Sequence, residues 1–148
     1  MRLLAYAALV IAAAALAGCG GDDDKSTWAG PPDPAADGTV AVEDFAAFED
    51  EVDEAWEQVP ALVAAEFLRL DSHPVPTTRI VATTGPEGSG PATVTVTLAD
   101  LLDDSVAAER WTLTLEAEGG GWRLASAEWA QRCQPGRGHR NFSTELCL

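Results

Sequence analysis

Metal, nucleophile and proton chemistry in this chain rest on few residues. It has two histidines, His73 and His139, and three cysteines, Cys19, Cys133 and Cys147. Cys133, His139 and Cys147 could supply three zinc ligands, with Glu145 or His73 as a fourth. Zinc sites of the usual kind are built on closely spaced pairs such as C-x2–4-C, which the chain lacks, so the pattern assigns no metal. Asp71 and His73 could pair for acid–base work, but they stand beside Pro74 and Pro76 and read as a loop. Ser89, in Gly88-Ser89-Gly90, lacks the G-x-S-x-G frame of a nucleophile elbow and fits a flexible turn better. There is no phosphate-cradling G-x-x-x-x-G-K-[ST] and no dinucleotide fingerprint. Asp22-Asp23-Asp24 and Asp103-Asp104 lack the spacing of a calcium loop. No catalytic residue and no cofactor is assigned, and the reading leans away from an enzyme.

Charge narrows the partners. Nine basic residues face 24 acidic ones, a net −15. Such a surface repels phosphate backbones, which excludes nucleic acid as a partner, and it is repelled by anionic headgroups. Eight of the acidic residues fall between Glu43 and Glu57, with no basic residue among them. That is more than the start of a helix needs, and it reads as a solvated face, with a cation or partner site as the sharper alternative. The one basic stretch is 132–148, with three arginines against Glu145, a net +2. Arg137, His139 and Arg140 are its candidates for holding an anion, an acidic polymer or a protein partner; the alternative is pairing with the protein's own carboxylates.

The elements that would position these groups follow from hydrophobic periodicity. Phe45, Phe48, Val52, Trp56, Val59, Val63, Phe67 and Leu70 recur at steps of three and four, the stripe of an amphipathic helix. Pro60 interrupts it. Either the helix kinks there, or one helix stops near Gln58 and a second starts with Pro60 in its first turn. Four strands follow, over 78–84, 92–99, 106–117 and 122–131. Val94, Val96 and Leu98 share one face, as do Trp111, Leu113 and Leu115, while Trp122 and Leu124 face one way on the last strand. Turns at 85–91, 100–104 and Gly119-Gly120-Gly121 join them into an antiparallel meander. The predicted class is α+β: an N-terminal helix packed on a four-stranded antiparallel meander, its apolar stripe against the sheet. The hollow between helix and sheet is either open or plugged by Trp56, Trp111 and Trp122.

The start of the chain has a pattern of its own. Met1-Arg2 leads an uncharged run from Leu3 to Leu16, shorter than the roughly 20 residues of a membrane-spanning helix. Leu16-Ala17-Gly18-Cys19 follows, then Gly20-Gly21 and three aspartates. That order resembles a bacterial lipoprotein signal peptide with its lipobox. The resemblance implies cleavage before Cys19, a diacylglyceryl group on the Cys19 sulfur, and a protein held by lipid at the outer face of the cell membrane. It also implies export to an oxidising compartment, with Cys133 and Cys147 left as an even pair that reads as a disulfide. The tail Arg132–Cys147 resembles the Cys-bounded C-terminus of small lipoproteins from high-GC Gram-positive bacteria, which implies no activity. Helix followed by antiparallel sheet, over roughly 42–131, resembles the cystatin-like and NTF2-like folds. NTF2-like enzymes carry His or Asp inside the cone, and no residue here matches such a motif.

The expected organisation is therefore a signal peptide over 1–18, a disordered acidic Pro/Gly tether over 19–41 with Trp28 as a stray or membrane-interface aromatic, and one domain over 42–148. The expected role is a non-enzymatic binding or interaction module of the cell envelope, with an envelope protein or polyanion as partner. The alternatives are an NTF2-like enzyme or small-ligand binder using the hollow, and a structural spacer.

Overall fold

A computed structural model describes residues 27–73, 75–88 and 90–148. Signal peptide, lipobox, Cys19 and the first part of the expected tether lie outside the described residues. In chain order the elements are β1 (Thr39–Val40), α1 (Glu43–Glu51), a 3-10 turn (Ala55–Gln58), α2 (Pro60–Phe67), β2 (Thr77–Thr83), β3 (Ala92–Ala99), β4 (Val106–Glu118) and β5 (Gly121–Cys133). The strands form one antiparallel sheet in the order β1-β5-β4-β3-β2. The α+β class stands, and β2 to β5 form the expected meander. The expected count of four strands is corrected to five, because Thr39–Val40 pairs with Glu128 and Ala127 on the β5 edge. None of the described helices is long and apolar enough to cross a membrane.

The helical region also differs in detail. α1 ends at Glu51, a 3-10 turn follows, and Pro60 opens α2 at its first position, where a missing N–H costs nothing. Of the two alternatives the second therefore holds, a new helix opening at Pro60, with the first α-helix ending at Glu51 and only a 3-10 turn reaching Gln58. The break turns Val59 outward, 43 % exposed, although it lies on the predicted stripe. α2 closes with a Schellman motif: the Leu70 N–H donates to the Ala65 carbonyl and the Arg69 N–H to that of Glu66. This places Arg69 at a positive φ of 50°, a position usually given to glycine. Its guanidinium donates to the Trp28 carbonyl and to Ser72 Oγ at 2.8 Å, which ties the corner to the segment before β1.

Trp28 overturns the expected extent of the tether. It is 7 % exposed, with ring centroids 5.1 Å from Phe45, 6.4 Å from Phe48 and 6.0 Å from Phe67. Its Nε1–H donates to the Phe67 carbonyl at 2.8 Å, so the one polar atom of a large apolar side chain is satisfied on burial. Residues 27–41 therefore belong to the domain at least through Trp28 and β1, and Trp28 is neither stray nor interfacial. The core lies between the helices and the sheet face bearing Val94, Val96, Leu113 and Leu115, all fully buried. On β5 the alternation changes phase. A register shift opposite Thr114 and Leu115 skips Ala125, so both Leu124 and Ala127 reach the core.

Candidate functional site

Three places hold the residues singled out by sequence. The first is the end of the hollow between α2 and the sheet. Trp28, Phe45, Phe48 and Phe67 fill its centre; of the three tryptophans considered as a plug, Trp111 joins this core and Trp56 and Trp122 pack against it, so the plug is extended by Trp28 and the phenylalanines. Beside Trp111 an open cavity of about 430 Å³ remains. Leu68, Leu70, Val75, Leu98, Leu101 and Trp111 give it an apolar wall, with Gly30 and Pro31 on its rim. Its ionisable lining residues are His73 and Glu109, and each already has a partner. His73 Nδ1 lies 3.3 Å from the Arg69 carbonyl, and the Trp111 Nε1–H donates to Glu109 Oε2 at 3.4 Å. The proposed Asp71–His73 pairing is not formed; Asp71 takes Arg69 Nε at 3.4 Å instead.

The second place is the acidic stretch. The end of α1, the 3-10 turn and the β4–β5 hairpin enclose a cleft of about 360 Å³. Glu49, Asp50, Asp53, Glu54, Glu57 and Glu118 line it, together with Arg123 and the turn glycines. The hairpin turns through Gly119 and Gly120, both at positive φ, the geometry of a two-residue turn that suits strand twist. Arg123 binds Asp50 at 2.7 Å and Glu118 at 3.4 Å and donates to the Ala46 carbonyl at 3.1 Å; the carboxylates, Asp50 foremost, raise its pKa. The expectation of a wholly solvated acidic face fails at Glu49, which is 3 % exposed. Its Oε1 accepts the Leu124 N–H at 3.3 Å, while Oε2 has no partner. Burial pushes this carboxyl up to about 7, and the Leu124 N–H and Arg123 offset that only in part. The carboxylates of the cleft do not converge: among the described residues, the one group of three or more His, Cys, Asp or Glu ligand atoms close enough for a metal ion lies in the tail.

The tail is the third place. Cys133 and Cys147 are disulfide-bonded, with Cα atoms 5.4 Å apart. The closed loop does not hang free but completes the β5 edge. Outward N–H groups of Trp129, Gln131 and Cys133 donate to the carbonyls of Gly38, Ser143 and His139 in turn. Short pieces of β1 and of the tail thus cover an edge that would otherwise invite pairing. Phe142 lies against the sheet face turned away from the helices, under the Arg110 guanidinium at 3.8 Å and that of Arg132 at 5.5 Å.

Of the candidate anion-binding residues, Arg137 pairs with Asp104 at 3.7 Å in an exposed contact of small energetic weight. His139 is spanned by two backbone carbonyls, with Nδ1 2.7 Å from Asn141 O and Nε2 2.8 Å from Glu145 O. Both bonds need an N–H, so the Glu145 and Asn141 carbonyls raise its pKa. Arg140 is exposed. The three side chains are not gathered on one ligand position: one is paired to a loop carboxylate and one is committed to holding the tail.

No protein-family model, no curated protein and no solved structure matches this chain.

Proposed function

We propose that the chain is a lipid-anchored binding module of the cell envelope, and that its ligand seat is the apolar cavity beside Trp111. The carrying observation is that cavity: an opening of about 430 Å³ walled by six apolar side chains, in a range typical of small-molecule pockets. His73 and Glu109 contribute polarity at its wall but are each engaged with the protein itself. That favours holding a small, mainly apolar molecule over transforming one. Helices on one face of an antiparallel meander support the cystatin-like or NTF2-like reading of the fold, while the ligand seat itself is argued from the cavity and not from the fold.

The anchor rests on Leu16-Ala17-Gly18-Cys19 after the uncharged run. The disulfide between the other two cysteines supports it, because Cys19 is then the cysteine left for lipid. The expected result for membrane-extracted protein is an intact mass corresponding to a chain cut before Cys19 with diacylglyceryl attached; an unmodified Cys19 overturns the anchor. For the cavity, the probe is the amphiphilic dye 1-anilinonaphthalene-8-sulfonate. One dye binds per folded chain, and Leu101→Trp, which fills the cavity from a half-buried loop position, weakens binding at least tenfold. Equal binding by both proteins overturns the seat. The basic tail is a second contact surface, for an envelope protein or polyanion, through Arg140 and through Arg137 once it leaves Asp104.

A further inference from the structure

Sequence spacing gives no reason to expect a metal in the tail, yet the fold brings three soft or borderline ligand atoms together there. The Sγ atoms of Cys133 and Cys147 and a ring nitrogen of His139 all lie within 4.8 Å of one another. In a tetrahedral zinc site, with Zn–S about 2.3 Å and Zn–N about 2.0 Å, two sulfurs stand about 3.8 Å apart and sulfur and nitrogen about 3.5 Å apart. The sulfurs must separate once their bond is cut, and the imidazole must close by little more than 1 Å. The loop that carries them can make that adjustment. Gly136 and Gly138 both sit at positive φ; no neighbour crowds Gly136, while Gly138 packs against the Cys133 sulfur and holds His139 beside it.

The imidazole is also prepared for the task. Each ring nitrogen is at hydrogen-bond distance from a backbone carbonyl. When one nitrogen turns to a metal, the other keeps its N–H on a carbonyl, which is the outer-shell bond that orients most metal-bound histidines.

We propose that the C-terminal loop is a redox-gated metal site: with the Cys133–Cys147 bond reduced, both thiolates and His139 bind one thiophilic d10 cation, Zn2+ or Cu+. The reductant is a dithiol. One of its thiolates attacks the sulfur of Cys147, the half-buried residue of the pair where Cys133 is 1 % exposed, and Cys133 leaves as thiolate. The second thiol of the reductant then closes its own disulfide and releases Cys147. Two electrons pass to the protein, and the reductant is oxidised to a disulfide. Metal binding then displaces the remaining thiol protons. Three protein ligands leave a fourth position for water or another ligand.

The test uses the full chain in detergent with Cys19→Ser, so that the tail pair supplies the sole thiols. Oxidised and phosphine-reduced samples are titrated with Zn2+ against a chromophoric chelator. The expected result is one Zn2+ per reduced chain and none per oxidised chain. His139→Ala keeps the disulfide in the oxidised sample but, when reduced, binds Zn2+ at least tenfold more weakly. Co2+ in place of Zn2+ gives thiolate charge-transfer absorption in the reduced sample alone, with altered bands in His139→Ala. Equal Zn2+ binding by oxidised and reduced chains, or by His139→Ala and the parent, overturns the proposal. Neither outcome depends on the apolar cavity or on lipid.

Discussion

Glu49 makes the stability of this domain fall as pH rises through the range just below neutrality. A carboxyl moved from 4.5 to about 7 by burial favours its neutral form by about 3 kcal/mol, since each pH unit is worth about 1.4 kcal/mol. Between those values the folded chain holds a proton at Glu49 that the unfolded chain has released. Stability from this group is therefore complete below pH 4.5 and is lost as pH climbs to about 7. Glu49→Gln isolates the effect. The amide keeps an oxygen for the Leu124 N–H and never ionises, and whatever its extra N–H donors cost at the partnerless Oε2 position does not vary with pH. Urea unfolding followed by tryptophan fluorescence, on both proteins at pH 4.5, 6 and 8, gives the difference directly. The parent should lose about 3 kcal/mol relative to Glu49→Gln from the first pH to the last. A difference constant with pH, or one that moves in the parent's favour, refutes the buried, protonated Glu49.

Three further outcomes follow from particular contacts. Trp28→Ala should cost about 3–5 kcal/mol in denaturant unfolding, the penalty of emptying a core site, whereas an aromatic on a free tether would cost almost nothing. Reducing the Cys133–Cys147 bond in metal-free buffer should lower stability by about 2–4 kcal/mol, as expected for a loop spanning 14 positions, and unchanged unfolding on reduction would show that the tail does not pack on β5. Ring NMR of His139 should give a pKa above 6.5; its hold on the Asn141 and Glu145 carbonyls is complete below 6.5 and is lost as pH rises through the folded value, so tail amide exchange should quicken there, and an unshifted pKa contradicts the two-carbonyl clamp.

The sheet was legible because period-two alternation is a local property: Ala92–Ala99 has the predicted bounds, and Val94, Val96, Leu113 and Leu115 face the core as their spacing implies. Phe45, Phe48, Val63 and Phe67 likewise declared the helical stripe. What stayed hidden depends on distant partners. Trp28 sits among prolines and acidic residues, and its place in the core is set by Phe67, 39 positions away. A two-residue β1 carries no periodicity and exists because β5 offers it an edge. Glu49 looks like its seven acidic neighbours, and its burial follows from where β5 places Leu124. In the candidate sites, the cysteine pair was readable through the exported, lipid-bearing reading of the chain. The apolar cavity was not, since its wall joins residues from the start of the domain, the C-cap of α2 and the loop after it, β3, the β3–β4 loop and β4. An aromatic at Phe142 inside a polar tail was the available sign that the tail packs on the sheet.

The central claim, a ligand seat at the open end of the hollow, is tested most directly by amide NMR of the 15N-labelled chain titrated with 1-anilinonaphthalene-8-sulfonate. The expected result is saturable shifts, complete at one dye per chain, concentrated at Leu68, Leu70, Leu98, Leu101 and the Trp111 indole, with the acidic cleft at Glu49 and the tail at Arg137–Arg140 unmoved. Shifts centred on the cleft or the tail, or none at saturating dye, would contradict it.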